Sequence, residues 1–585
     1  MAGKPSGGLR ALLGAILSFA GPRLPATIAV VALAAVLEGV GLVLLLPVAE
    51  TVFSQGSGSE GGLSGNLLSW LSNVGADTPL EQLLVMGSAF LLLIILRALV
   101  LMKRDVMMMQ LAQGFVDHIR RGFFDRLAHA DWPVIKRFRK SQLLNSITTN
   151  IGRLAVTMQF LSNGLVLSMM SLAYLVAAFV VSPVLGVALL GMIALGLVFA
   201  VIWMRRSHRL GRNLNRASRG VMHETTRFLE GMKAAKAARA EAELAERFAQ
   251  SIAETRAISV QFVMQQSRLR NAVQVIAACF ALIVLLVGFG IVGLSGGELL
   301  VMAAIVLRLA PNLVATFGGL QSIAHALPAF ESIRALEAEL DEAHRPWRSS
   351  APLDNKNAVL PGGLLRLKDC RVEVQDDHGD PVTLVQSDQL EIAPGSLVHI
   401  GGPSGAGKST LVEVIAGLHL PARGDVTWGD VSLNTETRRA WQSQIAFAPQ
   451  EPFIFDGTVR ENLLWPNCEA SDELIREKLA EAEADRIVSA LPDGLDEELL
   501  DGGARLSGGE RQRLCLARAL LRPARMFILD EATSAMDPQL ERRIIGGLRE
   551  RVGDRIILMV SHSLNAVQYA DMRIAVSDGR ARVAV

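Results

Sequence analysis

The sequence predicts an all-α domain of six membrane-spanning helices, followed by a soluble α/β domain built around a phosphate-binding loop. Three observations predict it. From Ala155 to Met204 there is not one Asp, Glu, Lys, Arg or His. Beyond Phe330 the long apolar runs stop, and short strand-like and helix-like segments alternate. Within that second part stands Gly402-Pro403-Ser404-Gly405-Ala406-Gly407-Lys408-Ser409, a glycine-rich turn closed by a lysine and a hydroxyl.

Composition agrees with this division. The 585 residues carry 58 Lys+Arg against 57 Asp+Glu, a net charge of +1. That balance argues against a dedicated nucleic-acid binder, and no nucleic-acid partner is expected. Only 20% of residues are charged and mean hydropathy is +0.34, whereas soluble chains are about a quarter charged. The deficit points to lipid-facing sequence. Cys279, Cys370, Cys468 and Cys515 show no C-x-x-C spacing and are too sparse for a disulfide scaffold or a zinc site.

Along the chain, residues 1–24 have a short, glycine-broken apolar run, which fits an amphipathic helix lying on the membrane better than a cleaved signal. The membrane domain is expected over 25–335. Its spans fall at 25–48, 82–102, 155–181, 183–204, 271–295 and 299–327, each long enough to cross about 30 Å of hydrocarbon as helix. Ser182-Pro183 separates the third from the fourth. Lys4, Arg10 and Arg23 precede the first span, Lys103, Arg104, Arg120 and Arg121 follow the second, and Arg205, Arg206 and Arg209 follow the fourth. The connection 49–82 has acidic residues and no basic ones. Basic flanks mark the cytoplasmic side, so both termini and the soluble domain are expected there, with the spans in the cell's inner (plasma) membrane.

Leu63, Leu67, Leu68, Leu71 and Val74 repeat at helical spacing around Trp70, predicting a small amphipathic helix on the outer face. The connections 105–154 and 205–270 are charged and helix-prone, so they should prolong the spans into the cytoplasm. Each has room for a transverse turn, near Asp131–Ser141 and near Thr225–Lys233. Ionisable residues inside spans are costly and tend to face a cavity or a partner. Glu38, Arg97 and Arg308, with Asn312, are therefore the candidates for a substrate cavity; a structural Glu38–Arg97 ion pair is the other reading. Pro311 suggests a kink in the sixth span. Met107-Met108-Met109 suits an adaptable apolar surface better than a metal, because adjacent side chains on a helix point in different directions. Residues 336–361 read as linker, and 362–585 as the soluble domain.

The chemistry lies in that domain. Leu397-Val398-His399-Ile400 is an apolar strand, then come Gly402 to Ser409 and a helical run from Thr410, the strand–loop–helix setting that a phosphate loop requires. Backbone N–H groups and the helix N-terminus can then face phosphate oxygens, Lys408 can reach the β- and γ-phosphates, and Ser409 can ligate Mg²⁺. ATP and Mg²⁺ are the expected ligands. Met526-Phe527-Ile528-Leu529-Asp530 is a buried-strand pattern ending in a carboxylate suited to Mg²⁺, and Glu531 stands next to it, placed to orient or deprotonate water.

Leu506-Ser507-Gly508-Gly509-Glu510, followed by Arg511-Gln512-Arg513, resembles the signature sequence of ATP-binding-cassette (ABC) ATPases. Gln450 matches the glutamine loop, Ser534-Ala535-Met536-Asp537 the D-loop, and His562 the switch histidine; the segment Phe453–Asn462 resembles the exporter form of that region. Six spans before one cassette is the half-transporter layout of type I ABC exporters. The resemblance implies that Gln450, Glu531 and His562 serve hydrolysis, with Ser409, Gln450 and Asp530 around Mg²⁺. It also implies two cassettes paired head to tail, each nucleotide lying between one subunit's phosphate loop and the other's Ser507, Gly508 and Gly509, with Asp537 alongside. Because every catalytic element is present, a homodimer is expected, a heterodimer being the alternative. Gln450 would also touch the transverse helices and so carry cassette closure into the spans.

The sequence departs from the family in places. Val374 stands where an adenine-stacking aromatic is usual, which should weaken selection for the base. The chain ends soon after His562, without room for the usual C-terminal helices, and its N-terminal region is too short for a leader-trimming peptidase. The expected function is ATP-driven export or flipping of an amphipathic substrate (lipid or glycolipid, peptide or hydrophobic small molecule) by alternating access. The alternative is a cassette protein in which ATP gates a channel or regulates a partner.

Overall fold

The computed structural model describes residues 6–43, 79–292, 296–348, 361–375, 381–466 and 468–584. The chain divides into two compact units. One takes the chain up to Ala128 and then Phe138–Glu339; the other takes His129–Arg137 and everything from Leu340. The external helix expected around Trp70 lies outside the described residues.

The first unit is helical throughout. It comprises α1 (Ser6–Ala20), α2 (Arg23–Val43), α3 (Pro79–His129), α5 (Lys140–Asn145), α6 (Ile151–Val181), α7 (Pro183–Ala238), α8 (Glu241–Val287) and α9 (Gly296–Arg348) as far as Glu339, with the short helix α4 (Trp132–Arg137) and the end of α9 assigned to the other unit. Four stretches among the described residues are long and apolar enough to cross a bilayer: Arg23–Val40, Lys140–Val181, Glu241–Gly290 and Glu298–Asp341. The second and fourth predicted spans lie on α3 and α7. In lipid a helix satisfies its own backbone, so apolar side chains can remain on the outside. Leu92 is 68% exposed and Val187 61%, values that would be costly in water over so many residues. Between α6, α7, α8 and α9 an apolar core holds Tyr174, Leu189, Val273, Met302, Leu309 and Phe317.

The boundary between α6 and α7 is local chemistry. Ser182 is extended (φ −153°, ψ 114°) and Pro183 opens α7, where its missing N–H costs nothing. Gly211 lets α7 approach α9 closely, since a Cβ there would sit 1.9 Å from the His325 carbonyl oxygen.

One expectation is corrected. No transverse turn interrupts 225–233: α7 runs through it and the chain reverses at Arg239, left-handed at φ 54°. The hydroxyls of Thr225 and Thr226 donate to the carbonyls of Val221 and Met222, 2.8 and 3.0 Å, so they are satisfied inside the helix and press for no break. Helix α9 runs through Pro311 and extends to Arg348, so the first part of the segment expected as linker is helical.

The second unit is built on one ten-stranded sheet. Its strands are β1 (Leu365–Gln375), β2 (Pro381–Ile392), β3 (Leu397–Gly401), β4 (Arg423–Trp428), β5 (Val431–Ser432), β6 (Ile445–Ala448), β7 (Met526–Asp530), β8 (Ile556–Val560), β9 (Met572–Ser577) and β10 (Arg580–Val583). In space they run β5-β4-β1-β2-β10-β9-β3-β8-β7-β6. The segment β6-β7-β8-β3-β9 is parallel, and β1, β2, β4 and β5 pair antiparallel. Every residue of β7 and β8 is buried, because helices cover both faces of a parallel sheet; such strands read as unbroken apolar runs. One core, with Leu516, Leu529 and Met559, lies on one face, and another, with Val412, Ile528 and Leu558, on the opposite face. Ligands of such sheets sit beyond the carboxyl ends of the parallel strands, which is where the motif residues emerge.

Candidate functional site

Three adjacent parallel strands deliver the site. The phosphate loop follows β3, Asp530 and Glu531 end β7, and His562 follows β8. The loop's shape requires glycine: Gly402 has φ 148°, and a Cβ there would lie 2.0 Å from the Val576 carbonyl oxygen. At Gly407, φ 103°, a Cβ would meet the Leu384 carbonyl oxygen at 2.8 Å. Helix α10 (Lys408–Ile415) begins directly after it, its N-terminus facing the loop. Lys408 is only 6% exposed, and its Nζ donates to the carbonyls of Gly402 and Pro403, 2.9 Å each. A buried ammonium held by neutral carbonyls, at a helix N-terminus, is a site short of negative charge, and a triphosphate fits it.

The acidic side of the site is equally suited to a cation. Ser409 Oγ donates to Asp530 Oδ1 at 3.4 Å. Burial raises the Asp530 carboxyl above its ordinary range, and the nearby Glu531 and Glu413 carboxylates add to the rise. A hydroxyl beside a buried carboxylate, with a second carboxylate adjoining, is a donor set that Mg²⁺ would stabilise. Glu531 itself is left-handed at φ 49°, its N–H bonded to the Val560 carbonyl at 3.0 Å. Its carboxylate accepts from Gln450 Nε2 at 2.8 Å and lies 4.0 Å from His562 Nε2. The structure therefore gathers Gln450, Glu531 and His562 around one carboxylate next to Asp530.

The signature segment forms a helix entrance. Ser507 caps α11 (Gly508–Leu521), its hydroxyl accepting from Glu510 N at 3.3 Å while Glu510 Oε2 accepts from Ser507 N at 2.7 Å. These bonds lower the Glu510 carboxyl. A Cβ at Gly509 would lie 2.9 Å from the Ala535 carbonyl oxygen, so signature and D-loop touch. Asp537 caps α12 (Pro538–Glu550), accepting from Gln539 N and Leu540 N. Val374 stands on β1 opposite Val382.

Several residues with no role assigned from the motifs position the site. Buried Glu541 accepts from Thr533 at 2.9 Å and Asn565 at 3.1 Å, and also from Ser563, tying the D-loop to the segment after His562. Gln512 donates to Ser534 Oγ at 3.1 Å and accepts from Ala535 N at 3.0 Å. Burial lowers the His399 imidazole, and as a neutral ring protonated at Nε2 it donates to the Ser561 carbonyl at 2.8 Å. Their signal in the sequence is only polarity at buried strand or helix positions.

Helix α4, inside the expected transverse segment 131–141, is held by the second unit. Asp131 accepts from Arg438 Nη1 at 2.6 Å. Lys136 Nζ and Trp132 Nε1 donate to Glu413 Oε1 at 2.6 and 3.1 Å, with His419 Nε2 3.2 Å from Oε2. Burial opposes ionisation of Glu413, yet the contacts with His419, Lys136 and Trp132 outweigh it and hold the carboxyl at about 2. Glu413 belongs to α10, so α4 rests on the helix that starts at the phosphate loop.

In the membrane unit, three of the four candidate cavity residues come together. Glu38 is buried; its Oε2 accepts from Arg97 at 2.6 Å, and its Oε1 from Arg308 at 2.8 Å and from the Tyr174 hydroxyl at 2.7 Å. Tyr174 was not anticipated. Asn312 lies one turn beyond Arg308, and its carbonyl accepts from Thr316. Met108 and Met109 line, with Asn163 and Met170, a groove of about 570 Å³ between α3 and α6, whereas Met107 faces a different groove beside Phe19 and Arg23.

Comparison with known proteins matches these features. A family model described as the ABC transporter transmembrane region matches residues 24–309, and one described as ABC transporter matches 385–534. The mycobactin import ATP-binding/permease protein IrtB of Mycolicibacterium smegmatis is 37% identical over 267 residues, 44% of this chain and 44% of that protein. The ATP-dependent lipid A-core flippase of Chromobacterium violaceum is 34% identical over 288 residues, 49% and 47% of the two chains. The match thus spans less than half the length of each. The heterocyst differentiation ATP-binding protein HepA of Nostoc sp. is 25% identical over 560 residues, 94% and 88% of the two chains. Among solved structures, a bacterial Atm1-family ABC exporter with ATP bound superposes with TM-score 0.76 at 20% identity, covering 96% of this chain and 95% of that one; this likeness concerns the fold.

Proposed function

The chain belongs to the ABC transporters, and from that premise we propose that it is an ATP-hydrolysing exporter or flippase for an amphipathic substrate, acting as a homodimer in the inner membrane with its cassettes in the cytoplasm. The observation that carries this reading is the convergence of Gln450 and His562 on Glu531, at 2.8 and 4.0 Å, beside Asp530. A protein that only bound nucleotide would have no use for this hydrolytic set.

Each residue has a definable task. The loop from Gly402 to Ser409, with Thr410, binds the phosphates through N–H groups and Lys408, which exchanges its carbonyl partners for phosphate oxygens. Ser409, Asp530 and Gln450 would hold Mg²⁺, which when bound offsets phosphate charge. Glu531 orients and deprotonates the attacking water, and His562 and Gln450 hold its carboxylate and the water in place. Ser507, Gly508 and Gly509 of a second copy offer a further anion-binding helix N-terminus, so nucleotide joins two cassettes. Movement of the phosphate-loop helix then reaches α4 through Glu413 and Lys136.

Substrate-level support is of two kinds. The membrane unit combines apolar grooves with a charged cluster, as an amphiphile needs, and relatives include a lipid A-core flippase and a mycobactin import protein. The test is ATP hydrolysis and flux by the reconstituted protein against a panel of lipids, peptides and hydrophobic compounds. Stimulation with ATP-dependent flux is expected; hydrolysis indifferent to all of them, with no flux, would overturn the reading.

A further inference from the structure

Across the six spans the sequence carries one carboxylate, Glu38, and two guanidinium groups, Arg97 and Arg308. The structure brings all three together, so within this cluster one positive charge has no counter-charge among the described residues. Arginine cannot discard its proton, and an unbalanced charge in a low-dielectric layer is expensive. Glu38 is fully engaged by Arg97, Arg308 and Tyr174. The two guanidiniums are not: the Arg97 Nε is buried with no hydrogen-bond partner among the described residues, and the Arg308 side chain is 51% exposed.

We propose that this cluster is the recognition site for an anionic headgroup, phosphate or carboxylate, of the transported amphiphile. The headgroup oxygens take the open donors of Arg308, beside the partly exposed Arg97 guanidinium, and the tail lies along the apolar span surface. Glu38 tunes the site: it holds both arginines in register and cancels one of their two charges, so that the anion is bound but can leave. Tyr174 fixes the carboxylate from the third span. This inference deepens the amphiphile reading given above and rests on it.

The test is equilibrium binding to the full-length protein in phosphatidylcholine nanodiscs, with radiolabelled dodecyl phosphate compared with dodecyl maltoside, and with inorganic phosphate as competitor. Dodecyl phosphate is expected to bind tighter than the maltoside, R308Q to weaken it about tenfold, and R308K to restore most of the loss. E38Q, which leaves both positive charges uncancelled, should tighten it. A merely structural knot would not produce that opposite sign. Equal binding of the two detergents, or R308Q and R308K behaving alike, would overturn the inference while leaving an amphipathic cargo intact. Binding of neither would bring down both. Competition by inorganic phosphate as strong as by dodecyl phosphate would overturn the assignment to a headgroup.

Discussion

The nucleotide site and the charged cluster in the membrane both put ionic groups in dry surroundings, and they do it in opposite ways. At the nucleotide site the backbone decides. Gly402, Gly407 and Glu531 have left-handed φ values, and the functional atoms sit at the ends of neighbouring parallel strands. In the membrane, side chains from four helices decide, with partners 59, 136 and 270 residues from Glu38 in sequence. A site held by backbone geometry is written in contiguous motifs. A site held by packing is written only as isolated costly residues, whose meeting depends on the helices.

The sharpest way to separate the two regions is to disable one chemically. E531Q keeps the site's shape and removes the proposed base, so ATP turnover should fall about 100-fold or more with nucleotide binding retained; a phosphate-release assay beside a fluorescent ATP analogue reports both. K408A removes the buried ammonium, and nucleotide affinity should drop roughly 10- to 100-fold. On the membrane side, E38Q leaves two arginines facing each other in an apolar layer, and thermal unfolding in detergent should shift down by several degrees. Equal sensitivity of ATP binding to E38Q and K408A would break the comparison.

The contact between α4 and the phosphate-loop helix should respond more gently. E413Q and K136A loosen α4 from the phosphate-loop helix and should lower substrate-stimulated hydrolysis severalfold more than basal hydrolysis. The Glu413 carboxyl sits at about 2 against an ordinary 4.5. Its contribution to stability is therefore complete above about pH 4.5 and fades as the pH falls toward 2. The melting-temperature difference between wild type and E413Q should be constant from pH 6 to 8 and shrink in acid. The smallest effect expected is at Val374: V374Y should tighten ATP binding by about twofold by adding a ring for adenine, read by competition between ATP and GTP.

Legibility followed the same divide. The phosphate loop, Asp530–Glu531, the signature and His562 could be read because each combines a fixed spacing with a strand or helix end. The roles of Glu541, Gln512 and His399 could not, though the last two stand inside quoted segments, since those roles are set by what β7 and β8 bring near them. In the helical unit the uncharged run from Ala155 to Met204 and the break at Ser182-Pro183 were readable from composition alone. The turn near 225–233 was expected from the length of the connection, which does not fix where the helix ends, and Thr225 and Thr226 bond back to the helix there. The actual reversal uses Arg239 in a left-handed conformation, with no glycine to announce it. Tyr174 gave no signal as a partner of Glu38, being one aromatic in an apolar helix.

On the proposed reading, transport depends on nucleotide clasped between two copies of the cassette. In a variant with the native cysteines replaced and turnover blocked by E531Q, S404C and S507C report it directly through a disulfide between subunits. ATP with Mg²⁺ should raise cross-linked dimer several-fold over nucleotide-free protein. Cross-linking that stays at the nucleotide-free level would contradict a shared site.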